Sequence, residues 1–178
     1  MRIISGIHKG RRIIAPKNLP VRPTTDRAKE ALFNILQHQL TFDHLRVLDL
    51  FAGIGSISLE FASRGTPTVV AVDQHPKCVR FISDTAATLQ LPISVIKQEA
   101  TTFVDRNHQN FDVVFMDPPY AFSEKKYTEL MDAVFENPAT TNALLIAEHD
   151  TNHSLTTHPH FVACRNYGNS AFSFFEKK

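Results

Sequence analysis

A chain of 178 residues, 43% hydrophobic and 21% charged, can close one compact domain around a full core, with room for a small appendage. No apolar run approaches the ~20 residues of a membrane helix, and the opening MRIISGIHKG lacks the apolar core of a signal peptide. The net charge of +1 conceals a segregation: Arg2, Lys9, Arg11, Arg12, Lys17, Arg22, Arg27 and Lys29 face only Asp26 and Glu30 within residues 1–30, leaving +6 there and −5 on the rest.

In chain order, residues 2–5 and 11–15 are short apolar or β-branched runs separated by Gly6 through Gly10, which predicts a small hairpin or extended arm. Its basic charge predicts a polyanion contact, against the plainer reading of a solvated charged face. Pro16, Pro20 and Pro23 then break regular structure. A helix starts near Thr25 or Asp26, either of which can cap it, and Ala28, Leu32, Ile35 and Leu36 form its apolar stripe.

From residue 46 the pattern alternates. RVLDL, TVVAVD, ISVIKQ, FDVVFMD and ALLIAEHD read as strands. ISLEFASR, HPKCVRFISDTAATLQ, a short segment near 101–107 and EKKYTELMDAVFEN read as the helices between them. Such alternation predicts a parallel α/β sheet covered on both faces. The tail FVACRNYGNSAFSFFEKK breaks it and predicts an antiparallel hairpin turning near 167–169 at the sheet edge, about seven strands in all. The expected division is an arm at 1–24 and one α/β domain at 25–178.

Ligands of such sheets bind beyond the carboxyl ends of the strands. The first strand runs into Asp49-Leu50-Phe51-Ala52-Gly53-Ile54-Gly55, where two glycines let a ligand approach the backbone. Ser58 stands where a dinucleotide fingerprint needs its third glycine, and Asp49 beside the loop is unlike a pyrophosphate site. An acid there suits a cationic ligand. S-adenosylmethionine carries an ammonium and a sulfonium, and its ribose suits Asp73 at the end of the second strand. Glu99, after the third strand, is placed to hold the adenine amino group. A glycine pair on its own is a tight turn and nothing more.

Asp117-Pro118-Pro119-Tyr120 follows the fourth strand. The lone pair of an aromatic amine is delocalised into its ring, so methylation is helped by acceptors that hold the N–H groups. Asp117 can accept one and the Pro118 carbonyl the other. Prolines fix φ, remove donors and push the preceding residue toward an extended conformation. The carboxylate also stabilises the positive charge that develops on nitrogen, and Tyr120 can stack on an extruded base. As a bare string the motif is weak; its place at a strand end gives it weight. Tyr127, Phe135 and the phenylalanines of 172–175 read as core. Cys78 and Cys164 stand in no metal or redox spacing and suit a reducing cytoplasm, and the histidines at 149, 153, 158 and 160 resemble a metal site only loosely, so no metal is expected.

With these motifs the chain resembles the RsmD-type bacterial ribosomal RNA methyltransferases, which act on guanine N2 in the small subunit. The likeness spans nearly the full length: MRIISGIHKGRRI, RPTTDRAKEALFNIL (its most specific element), VLDLFAGIGSISLEFASRG, FDVVFMDPPY and RNYGNSAFSFFE. It departs in having Glu99 where Asp is usual, in lacking a Gly-Gly turn within ENPATTNALLIAEHD, and in Asn169-Ser170 where Asp-Thr is common.

The resemblance implies a Rossmann-like class I fold and S-adenosylmethionine as cofactor. It also implies transfer to the N2 amino group of a guanine in 16S rRNA within an assembled or assembling small subunit; the size of the chain makes a monomer the default expectation, and the cysteine usage a cytoplasmic one. Asp117, Pro118, Pro119 and Tyr120 are then the catalytic set. Asp49, Phe51, Ala52, Gly53, Gly55, Asp73, Gln74, Glu99, Ala100, Thr25 and Arg27 are the expected cofactor contacts. Lys9, Arg11, Arg12, Arg22 and Thr24 are the expected RNA contacts, which position the backbone without reading sequence. Thr25 reads equally as a helix cap. Adenine-N6 methylation of DNA or RNA is a competing reading, which RPTTDR and the absence of a separate DNA-recognition domain oppose. A non-catalytic RNA-binding scaffold is another, which intact Asp117, Gly53 and Asp73 oppose.

Overall fold

The structure, a computed structural model, describes residues 1–16, 19 and 25–177. The expected RNA contacts Arg22 and Thr24 lie outside the described residues.

One sheet of seven strands has the order β3-β2-β1-β4-β5-β7-β6. Strands β1 (Arg46–Asp49), β2 (Thr68–Asp73), β3 (Ile93–Lys97), β4 (Val113–Met116) and β5 (Leu144–Asp150) run parallel. β7 (Ser170–Phe175) is antiparallel to both β5 and β6 (Phe161–Tyr167). The doubly wound sheet ending in an antiparallel hairpin is as expected, except that β7 lies inside the sheet and β6 forms the edge. Burial follows: every residue of Ala171–Phe175 is buried, whereas none in β6 is.

Alternation along the strands divides the core in two. Val47, Val113, Phe115 and Ile146 face α1 (Asp26–Leu36) and α2 (Ser56–Ser63) and meet Phe33 and Phe61. Leu48, Val114, Met116 and Leu145 face α4 (Ala100–Arg106) and α5 (Glu124–Glu136) and meet Phe103 and Met131. The helix α3 (Pro76–Leu89) opens on proline and stops at Gln90, which takes a left-handed conformation at φ 52°. Thr25 caps α1 through its hydroxyl, which accepts from the Ala28 N–H at 3.2 Å, and Ser123 caps α5 in the same way. The 3-10 turn at Phe42–His44 has no signal in the periodicity.

The N-terminal run is a hairpin, but a short one. Arg2 bridges Arg12, and the Ile3 and Gly10 N–H groups complete it. Four further donors turn to α2. Ile4 and Ser5 donate to the Glu60 carboxylate at 2.8 and 3.0 Å, Ile7 to the Ser63 carbonyl at 2.8 Å, and His8 to the Ser63 hydroxyl at 3.1 Å. Glu60 is fully buried and also meets Arg64 at 2.8 Å and Lys29 at 3.6 Å, so a buried charge network ties arm, α1 and α2 together. Burial pushes the Lys29 ammonium below its ordinary pKa, against the pull of Glu60 and Asp26.

Candidate active site at the sheet switch point

Strand order reverses between β1 and β4, so the crevice beyond their carboxyl ends is where an open α/β sheet takes its ligand. The glycine loop leaves β1 there and the Asp-Pro-Pro-Tyr turn leaves β4. The Leu50 N–H, one step past β1, still bonds the Phe115 carbonyl at 2.9 Å and holds the two exits together.

The loop is built by backbone bonds. Gly55 donates to Ala52 O at 2.6 Å and Ala52 to Val72 O at 3.0 Å. Gly55 sits at φ 76° as N-cap of α2, and a Cβ there would crowd Ile82 at 3.1 Å. Asp73 closes the ring: its oxygens accept from Gly53 N–H at 2.8 Å and His75 N–H at 2.7 Å. Each carboxylate oxygen keeps a further lone pair.

Strand register sets the acids out in a row. Asp49 pairs with Phe115, two residues before Asp117, and the β4–β5 register ends at Met116 opposite Ala147, which places Asp117 level with Glu148. By the period-two alternation, Asp49, Asp117 and Glu148 point to one face of the sheet, the side of α1 and α2. Asp49 is 1% exposed; its Oδ2 accepts from the Ser58 hydroxyl at 2.6 Å, and its Oδ1 has no partner among the described residues. Burial raises its pKa to about 7, with the Ser58 hydrogen bond opposing and Asp73 adding to the rise. Burial, then the charges of Glu148 and Asp49, raise Asp117 well above the usual carboxylate range. A row of like charges with an orphaned buried oxygen fits a cation, and the ammonium and sulfonium of S-adenosylmethionine meet that requirement.

Around this row, Phe51 is half-buried edge-on to Phe122 at 5.7 Å, and Phe122 is edge-on to Tyr127 at 5.5 Å. Pro118 is buried; Pro119 is exposed and its carbonyl accepts from Phe122 N–H at 2.8 Å. Tyr120 is 68% exposed, as a stacking platform requires. Gln74 is exposed and Ala100 buried. Glu99 caps α4, accepting from the N–H groups of Thr101 at 3.0 Å and Thr102 at 2.8 Å. Partial burial pushes its pKa up, but the bonds from Thr102 and Thr101 outweigh it and the net shift is downward.

Thr25 and Arg27 are exposed at the start of α1, where the neighbouring Asp26 accepts from the Arg2 N–H of the arm at 3.1 Å. Lys9, Arg11 and Arg12 are all exposed on the hairpin. The histidines serve packing and polar satisfaction: His149 meets the Ser173 hydroxyl at 2.8 Å and His158 meets Asp132 at 3.3 Å. Among the described residues no group of His, Cys, Asp and Glu has metal-binding geometry, and no helix is long and apolar enough to cross a membrane.

Two features escaped the reading of the sequence. Glu148 is one acid inside the apolar strand ALLIAEHD; its position at the carboxyl end of the strand beside the Asp-Pro-Pro-Tyr turn was the available signal. The Lys29–Glu60 pair joins residues 31 positions apart and left no local signal.

Residues 1–176 match the family described as "Conserved hypothetical protein 95", the RsmD family. The chain belongs to this family. Among its relatives, YlbH of Bacillus subtilis is 35% identical over 156 residues, 84% of this chain and 83% of that one. The "Ribosomal RNA small subunit methyltransferase D" of Haemophilus influenzae is 32% identical over 164 residues, 88% of this chain and 82% of that one. The solved structure of yhhF from Escherichia coli superposes with a TM-score of 0.86 at 25% identity, covering 100% of this chain and 98% of that one. The RsmD-family chain thus has the Rossmann-like class I methyltransferase fold.

Proposed function

We propose that the protein transfers a methyl group from S-adenosylmethionine to the exocyclic N2 amino group of a guanine in 16S rRNA of the small ribosomal subunit. Membership of the RsmD family and the name of the Haemophilus relative support methylation of small-subunit rRNA. The observation that carries the reading is Asp117 in line with Asp49, whose Oδ1 has no partner among the described residues, at the crevice shared with the glycine loop.

Asp49 attracts the cofactor's positive charge, the Gly53–Gly55 turn admits it against the backbone, and Asp73 takes ribose hydroxyls with its remaining lone pairs. Glu99 and Ala100 border the adenine. When bound, the cofactor supplies an electrophilic methyl on a sulfonium. Asp117 and the Pro118 carbonyl hold the two N–H groups so that the nitrogen lone pair is turned away from the ring. With the cofactor bound, Asp117 would accept the proton that the amino nitrogen releases on methylation and pass it to solvent. Tyr120 stacks on the extruded base. Fixed acceptors and a fixed approach supply much of the rate.

In the same reading, residues 1–24 form an arm whose Lys9, Arg11 and Arg12 grip rRNA phosphates, with Arg22, Thr24, Thr25 and Arg27 bordering the site, and residues 25–178 carry the chemistry. The substrate is an assembled or nearly assembled small subunit, and the enzyme acts as a cytoplasmic monomer. The test is transfer of a labelled methyl from S-adenosylmethionine to unmodified small subunits, followed by digestion and identification of the labelled nucleoside. N2-methylguanosine is expected. Label on adenine N6, or no transfer, would overturn the assignment.

A further inference from the structure

We infer that Phe122 is a positioning residue for methyl transfer: its ring, held between Phe51 of the glycine loop and Tyr127 of α5, fixes the turn that carries Tyr120 against the cofactor loop. The inference rests on the methyltransferase reading above, with Tyr120 as the base platform, and it holds for whichever base is methylated.

Pro119, Tyr120, Ala121 and Phe122 form a β-turn, closed by the Phe122 N–H on the Pro119 carbonyl at 2.8 Å. Pro119, Tyr120 and Ala121 are exposed, and Phe122 is the half-buried member that anchors the turn. Its ring is met from three sides. Phe51 lies edge-on at 5.7 Å, Tyr127 edge-on at 5.5 Å, and the Lys126 ammonium is 5.8 Å from the ring centre. Both ring partners are fixed in turn. Phe51 directly follows Leu50, whose N–H bonds the Phe115 carbonyl at 2.9 Å. Tyr127 is buried; its N–H donates to the Ser123 carbonyl at 3.0 Å and its hydroxyl to the Glu148 carbonyl at 3.1 Å. Phe122 thus joins the two parts that must be set against each other, the loop that admits the cofactor and the turn that carries the base. The approach of amine to methyl tolerates little error, and a misplacement of about 1 Å costs roughly 10²-fold in rate. The glycine loop does not depend on this ring, because Ala52 and Gly55 are held by backbone bonds and Gly53 by Asp73. Removing the ring should therefore disturb transfer and spare cofactor binding.

The experiment measures single-turnover methyl transfer from labelled S-adenosylmethionine to unmodified small subunits, with both ligands saturating. Phe122→Ala should slow transfer by about 10–100-fold, while its affinity for S-adenosylmethionine, read by calorimetry, stays unchanged. Phe122→Leu keeps bulk without the ring edges; it should slow transfer as well and guards against an Ala variant that fails to fold. Phe122→Tyr keeps the ring and should keep the rate. Packing alone does not predict the next result. Because Phe122 acts through Tyr120, removing its ring should cost little more once Tyr120→Ala has been made, whereas independent losses multiply. A native rate in either ringless variant, or losses that multiply with that of Tyr120→Ala, would overturn this inference alone and leave Phe122 a packing residue. A native enzyme that transfers no methyl would overturn the functional reading as well.

Discussion

Asp49 shows how one buried oxygen links stability to ligand. Its carboxyl is held at a pKa of about 7, well above the 3.8 of a free side chain, chiefly by burial. The folded protein therefore keeps a proton that the unfolded chain has lost. The resulting contribution to stability is full below about pH 4 and is lost as pH climbs through 7. Above that the ion sits buried with Oδ1 unpartnered among the described residues, and a cationic ligand repairs the deficit. Asn at this position still accepts from Ser58 but carries no charge. Asp49→Asn should raise Tm by a few degrees at pH 8, lose that advantage at pH 4, and bind S-adenosylmethionine at least 10-fold more weakly, roughly the loss of one charge-assisted contact. Thermal melts at both pH values and calorimetry check this. Asp117 titrates in the same direction and loses the part of its rise that the Asp49 charge supplies, so the difference reports Asp49 together with its pull on Asp117, and a pH-independent difference would remove Asp49 as a titrating group. Asp49, Asp73 and Asp117 were legible in the sequence because each ends a strand or follows one beside a turn motif. Glu148 was not, because only the register reveals that it stands beside Asp117.

At the scale of elements, the period of the apolar residues located every strand of the sheet and the five α-helices of the described residues, since each buries a face. Boundaries moved by a residue or so where the backbone lost its partners; β4 stops at Met116, just before the prolines of the turn. The N-terminal hairpin was legible as a hairpin, but its partner was not. Its N–H groups are taken by Glu60 and Ser63, far away in sequence, and no local pattern encodes that choice. Gly6 is the pivot. It sits at φ 82°, and a Cβ there would overlap the Ser63 carbonyl, whereas Gly10 at φ 81° has open space around it. Gly6→Ala should undock the arm, expose the Lys29–Glu60 network, and cost about 3 kcal/mol, the scale of disturbing a buried charge pair. Gly10→Ala should cost only the backbone strain of about 1 kcal/mol. Limited proteolysis within the first 25 residues and chemical denaturation report the difference. Equal stability and equal protection in the two variants would show that the docked arm contributes nothing to the fold.

Over the whole molecule, the two signs of charge have been set at the two ends of one helix. α2 begins at the glycine loop, beside the row of acids, and ends at Ser63, where the basic arm docks. Composition revealed that the charges are segregated along the chain, but not that a single short helix joins the two poles. Its geometry suits a nucleic acid whose phosphates lie along the arm while one base enters the crevice. The acids would repel phosphate and the arm would repel the cofactor, so each ligand is directed to its own pole. Phosphate contacts release counterions, and each one adds about −0.7 to −0.9 to the slope of log affinity against log salt. Replacing Lys9, Arg11 and Arg12 together with Ala should therefore flatten that slope for small-subunit rRNA by about 2–3. Affinity for S-adenosylmethionine should be unaltered, because the arm touches α2 at the end remote from the loop. Filter binding across a salt series, with calorimetry for the cofactor, separates the two effects. A slope that does not change would take the arm off the RNA interface and leave the RPTTDR segment as the remaining basic contact.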